Sequence, residues 1–222
     1  EDDDLLVTGT LTCNGGLIQL DCADGGANND GRLVIQGATI DASARENPVF
    51  ATNDGGNLDG GNVHVGIPFT DEVDFISGTI RADGVETFQY DAPVVAPAVQ
   101  PAPTSLGAGA GGDITIEAND LLDMTGTLSA SGVDQTDGPG GANNGGSITL
   151  RIDGIENTPT TVDVGELNST GNITATGGNR SNGGTVDMSI GGITANCVLT
   201  CSSTINVDAG DNLYRDPAGM VL

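Results

Sequence analysis

The side chains best placed for chemistry in this sequence are hard oxygens on tight turns and two pairs of cysteines. Asp and Asn meet Gly at Asp21-Cys22-Ala23-Asp24-Gly25, at Asn28-Asn29-Asp30-Gly31 and at Asn53-Asp54-Gly55-Gly56-Asn57-Leu58-Asp59-Gly60. Carboxylates and amide carbonyls on such turns suit calcium. The candidate ligands are Asp24, Asp30, Asp54 and Asp59. None of these stretches matches an EF-hand loop, so the expectation is weak calcium binding at most. The competing explanation is turn geometry, because Asp and Asn bond their own backbone and Gly accepts positive φ. Turn geometry is the favoured explanation.

The cysteines fall into two local pairs, Cys13 with Cys22 and Cys197 with Cys201. Their spacing is not that of a zinc knuckle, and His64 is the only histidine, which argues against a structural zinc site. One pair near each end predicts two local disulfides, Cys13–Cys22 and Cys197–Cys201, and an oxidising compartment. Free buried thiols are the alternative.

Catalytic motifs are missing. There is no Gly-x-Ser-x-Gly elbow, no Walker loop and no His-Glu-x-x-His. A glycosidase needs only two carboxylates at a set separation, but sugar clefts also want stacking aromatics, and Tyr90 and Tyr214 are thin provision. The chain is therefore not expected to be an enzyme, with polysaccharide degradation as a remote alternative. Net charge is −25 and all six basic residues are arginines. Such a surface repels nucleic acid and anionic lipid, and it invites cations. No apolar run is long enough to span a membrane. No signal peptide is recognisable, and Glu1-Asp2-Asp3-Asp4 reads as the start of a mature exported protein, so the expected location is extracellular. Three Asn-x-Ser/Thr sequons begin at Asn168, Asn172 and Asn179.

The elements that must carry these residues repeat. A Gly-x-apolar-x-apolar strand is followed by an insert and then by a second strand closing on Ala or Gly. Gly112-Asp113-Ile114-Thr115-Ile116 leads to Gly126-Thr127-Leu128-Ser129-Ala130, and Gly146-Ser147-Ile148-Thr149-Leu150 leads to Gly171-Asn172-Ile173-Thr174-Ala175. Further copies pair 31–35 with 38–42, 61–65 with 78–82, and 184–188 with 204–210. Residues 5–12 parallel 121–128 and look like a second strand without its first. Alternation places Ile114, Ile116, Ile148, Leu150, Val186 and Met188 inward, with Thr115, Thr149 and Asp187 outward. Short strands separated by Gly/Asn/Asp loops of unequal length, with aromatics at 3%, predict an all-β chain. The specific expectation is a single right-handed parallel β-helix (β-solenoid) with long irregular surface loops. Residues 1–222 form one domain in this reading, with a Pro/Ala/Gly-rich arm inserted at about 85–111.

The repeated pattern at 111–118 and 126–132 resembles the β-helical stalks of bacterial haemagglutinin-like adhesins and similar Gly-rich surface proteins. The resemblance covers most of residues 5–210. It implies a secreted surface protein with no defined catalytic residues. Open sheet edges at the ends of such a stack invite pairing with another chain. The expected function is therefore an extracellular structural subunit, joining end to end into a filament or layer of identical copies. Leu5, Leu6 and Val7 supply the open edge; Val94 and Val95 of the arm, with Met220, Val221 and Leu222, are candidate donor segments. The alternative is a monomeric adhesin or module that binds a surface glycan or matrix ligand.

Overall fold

The computed structural model describes residues 4–22, 31–45, 58–66, 70, 72–89, 104–135, 143–152, 165–179, 181–191 and 198–209. Every regular element among them is a strand. In chain order these are β1 (Asp4–Val7), β2 (Thr10–Thr12), β3 (Leu17–Leu20), β4 (Arg32–Asp41), β5 (Asn62–Val65) and β6 (Glu72–Arg81). Next come β7 (Glu86–Gln89), β8 (Thr104–Ala108), β9 (Asp113–Ala118), β10 (Leu121–Met124), β11 (Thr127–Ser129) and β12 (Ser147–Ile152). The last are β13 (Glu166–Ser169), β14 (Asn172–Thr174), β15 (Thr185–Ile190), β16 (Val198–Cys201) and β17 (Thr204–Asn206).

The all-β expectation holds, but the single right-handed β-helix does not. The strands form two separate parallel sheets layered on a shared core, and neither is curled into a closed sheet. A ten-stranded sheet contains β1, β2, β4, β6, β10, β11, β13, β14, β16 and β17; a five-stranded sheet runs β15-β12-β9-β5-β3. Among the described residues no ladder joins one sheet to the other. Breaks between ladders leave no trace in a pattern of alternating side chains, which is why the sequence did not distinguish the two. The described roots of the arm at 85–111, β7 and β8, pair with each other antiparallel.

Within each sheet the register stacks like on like. Leu5, Leu33, Val73, Leu122, Leu167 and Leu199 form one inward rank of the larger sheet. Leu11, Ile40, Ile80, Leu128, Ile173 and Ile205 form a second. In the smaller sheet Ile18, Val63, Ile114, Ile148 and Val186 make one rank; Leu20, Val65, Ile116, Leu150 and Met188 make the other. These ranks meet in one apolar cluster. Parallel strands buried on a facing layer favour Val, Ile and Leu in this way.

The glycine that opens each strand of the smaller sheet answers to close approach. A Cβ on Gly61, Gly112, Gly146 or Gly184 would stand 2.0, 1.9, 1.9 or 2.1 Å from the carbonyl oxygen of the preceding glycine in the rank. Only glycine lets those backbones pass. Gly126 plays a different part. A Cβ there would sit 2.2 Å from the Phe75 ring, so this glycine makes room for the largest fully buried side chain.

One copy of the repeat departs from the others in its placement. The run 31–35 shares its spelling with 61–65 and 112–116, yet it lies in the larger sheet, between β1 and β6. The partner of Asn62–Val65 in the smaller sheet is instead β3, which opens on Gly16 through the hydrogen bond from Asn62 N to Gly16 O at 2.8 Å.

Candidate assembly surfaces at the ends of the sheets

The larger sheet has six levels: β1 with β2, then β4, β6, β10 with β11, β13 with β14, and β16 with β17. The smaller has five, from β3 to β15. One end of the molecule therefore presents β1, β2 and β3, and the other presents β15, β16 and β17. Among the described residues each of these strands pairs on one side only.

The exposed large apolar side chains collect at those ends. They are Leu6, Leu11 and Leu17 at one, and Val198, Leu199, Ile205 and Val207 at the other. Several belong to core ranks that run out of neighbours. Leu199 is 48% exposed although its partner Leu167 is fully buried, and Ile205 is 43% exposed above a fully buried Ile173. Charge follows the opposite distribution. Inner strands carry Arg32, Asp41, Glu72, Asp74, Arg81, Asp113, Glu117, Asp123, Arg151 and Glu166, whereas β2, β3, β16 and β17 carry none. Asp4 on β1 and Asp187 on β15 are the charged residues of the end strands. Natural edge strands are commonly blunted by charge, proline or bulges. β2, β3, β16 and β17 carry no charge and no proline.

Of the sequence-derived assembly residues, Leu5, Leu6 and Val7 lie on β1 at this open edge. Val94, Val95, Met220, Val221 and Leu222 lie outside the described residues. The residues missed by sequence reasoning are Leu11, Leu17, Leu199, Ile205 and Val207. Leu11, Leu199, Ile205 and Val207 continue apolar register positions, but their exposure depends on which level comes first or last. Leu17 sits in an otherwise polar outward column of Asn62, Asp113, Ser147 and Thr185.

The expected Cys13–Cys22 disulfide is corrected: Cys13 is a free thiol. Cys201 carries a free thiol, and Cys197, its expected partner, lies outside the described residues. Cys13 follows β2, with its Sγ against Gly16, while Cys22 lies beyond the far end of β3. Four strand residues separate them by about 13 Å, against the roughly 7 Å Cα limit of a disulfide. Cys22 is buried and its amide donates to Thr70 Oγ1 at 3.0 Å.

Of the calcium candidates, Asp59 alone lies among the described residues. Asp24, Asp30 and Asp54 lie outside the described residues, and the Asp59 carboxylate accepts a hydrogen bond from Ala110 N at 2.8 Å. No group of three or more His, Cys, Asp or Glu is poised for a metal among the described residues. Of the sequons, Asn168 donates to Glu166 Oε1 at 2.7 Å, Asn172 is exposed on β14, and Asn179 donates to Gln135 O at 2.8 Å.

On the outward face of the larger sheet Val34, Asp74, Asp123 and Asn168 stand in one column. Arg32 pairs with Asp74 and reaches Glu72 at 3.5 Å. The hydrogen bond and charge of Asp74 raise the Arg32 guanidinium further above its ordinary value. Partial burial, and then the Asp74 and Glu166 charges, push the Asp123 carboxyl above its usual range. This column holds like charges on neighbouring strands and is a cost that the fold carries.

No known family, curated protein or solved structure matches this chain.

Proposed function

We propose that this protein is an extracellular structural subunit that joins end to end with copies of itself to form a filament or layer. The observation that carries the reading is the segregation just described: among the described residues, exposed apolar side chains and unpaired ladder edges share the two ends, while charge falls mostly on the inner strands and is absent from β2, β3, β16 and β17. An unblunted parallel edge is a template for another strand. Because the two ends are different surfaces, their contact is head to tail and does not close, so it propagates as a fibre. The extracellular placement rests on sequence character: net charge −25, no lysine, and the likeness to secreted surface stalks.

No helix among the described residues is long and apolar enough to cross a membrane. The test is a pair of charge insertions, Leu199→Lys at one end and Leu11→Lys at the other. Sedimentation velocity of the unaltered protein should show concentration-dependent growth, and either substitution should remove it. A protein that stays monomeric at high concentration would retire the filament in favour of a monomeric surface-binding module.

A further inference from the structure

We infer that the joint between copies has one register, in which the larger sheet of one molecule continues strand for strand into the larger sheet of the next. This deepens the end-to-end reading and rests on it. In that register β16 of one copy pairs with β1 of the next, and β17 pairs with β2. Leu199 then meets Leu5, and Ile205 meets Leu11.

The register follows from the ranks inside the molecule. Every pairing in the larger sheet is parallel, and each level repeats the same inward positions. The last level offers Leu199 and Ile205 where the first offers Leu5 and Leu11, so a seventh level spelled like the first meets the sixth as the sixth meets the fifth. A slip by one residue would turn every inward side chain to the solvent face. Such a slip would set Leu199 and Ile205 against outward positions. Charge gives no reason to avoid the matched register, since β2, β16 and β17 are uncharged and Asp4 of β1 would face Val198.

The occupant is a second copy rather than an unrelated strand, because two ladders must be met at once. β16 and β17 are displaced from each other along the sheet, as β1 and β2 are, and the spacing matches level by level. A lone extended peptide satisfies one such edge; the first level of this same chain satisfies both. Among the described residues the smaller sheet has one level fewer, so β3 of the incoming copy stands two strand spacings, about 9.6 Å, from β15. The joint is therefore made by the larger sheet.

Cysteine pairing reads this register directly. Val7, Ile35, Phe75, Met124, Ser169 and Cys201 share one inward rank, so Cys201 of one copy should face Val7 of the next. Neighbouring strands place such positions within the Cα separation a disulfide accepts. In a Cys13→Ser, Cys197→Ser background, Val7→Cys should yield a ladder of covalent multimers under mild oxidation. Leu6→Cys, one residue away and on the opposite face, should not, and Val7→Cys combined with Cys201→Ser should not. A second pair uses the adjoining rank, in which Cys13, Ala42, Ala82, Ala130 and Ala175 lead to Val207. Val207→Cys with native Cys13, in a Cys197→Ser, Cys201→Ser background, should also form the ladder, so a folding defect in either variant leaves the other to decide. Equal crosslinking by Leu6→Cys and Val7→Cys overturns the register. So does a covalent dimer of Val7→Cys that persists without Cys201, because it means head-to-head contact. Polymers that grow in solution but never crosslink overturn the register alone; absence of polymers removes the end-to-end reading with it.

Discussion

The inner levels of the two sheets and their end strands are written in the same apolar register but finished differently. At β6 the inward side chains Val73, Phe75 and Ile80 are fully buried, while the same strand carries Glu72, Asp74 and Arg81. At β16 and β17 the equivalent positions hold Leu199, Cys201 and Ile205, all exposed, and no charge interrupts them. An end strand is thus an inner strand without its next neighbour. A protein selected to remain solitary would blunt such an edge; here the blunting residues are on the levels that already have partners.

That contrast sets the order of expected effects. Truncating the centre should cost most: Phe75→Ala removes the largest fully buried side chain and should destabilise by about 3–5 kcal/mol. Gly126→Ala drives a methyl into the same ring and should cost about 1–3 kcal/mol. Both are measured by urea unfolding of the monomer. In the same monomer Ile205→Ala at the end should cost clearly less, because much of that side chain is already in water. Equal losses at Phe75 and Ile205 would break the distinction between centre and end.

Thiol chemistry sharpens the comparison. Cys201 on the end strand should be alkylated quickly in the monomer and protected on assembly, whereas the buried Cys22 should react only on unfolding. Mass spectrometry after timed labelling reads both. Salt acts on the ends as well. Copies with net charge −25 repel one another, and the screening length shrinks from about 30 Å at 0.01 M to about 8 Å at 0.15 M. Association by apolar ends should therefore strengthen as salt rises; a joint made by ion pairs would weaken.

The smallest expected effect lies on the inner outward face. The Asp123 carboxyl is raised in the folded chain, which favours its protonated form. The resulting penalty is absent below the unfolded carboxyl value and grows as pH rises through the higher folded value. Asp123→Asn should therefore gain roughly 0.2–1 kcal/mol at neutral pH and nothing near pH about 3. Denaturant midpoints at the two pH values check the sign.

The strands were legible wherever alternation ran for several residues behind a glycine. At 112–116 and 146–150 the inward set named from sequence is the buried set observed. Legibility failed where the alternation stopped short or the punctuation was shared. The strand Glu166–Ser169 opens on Gly165 but has one fully buried apolar residue, Leu167, followed by polar Ser169 at the next inward position, so its alternation stops after one step. The run 31–35 has the right spelling but sits in the other sheet, because its neighbours β1 and β6 share its register. Two sheets and one wound sheet require the same inward alternation, so the single β-helix could not be separated from the layered pair by side-chain pattern. The cysteine pairing failed for a matter of distance: nine residues of sequence separation hide a strand lying between Cys13 and Cys22. The open edge at Leu5–Val7 was visible as an unmatched half of a repeat, but the far end was not, since exposure of Leu199 and Ile205 depends on which level is last.

Small-angle scattering across a concentration series tests the end-to-end account most directly. Growth through β1, β2, β16 and β17 should lengthen the particle while its cross-sectional radius stays that of the monomer, and Leu199→Lys should hold the length at one copy. A particle that thickens as it grows, or one that remains a single copy at every concentration and salt, would contradict it.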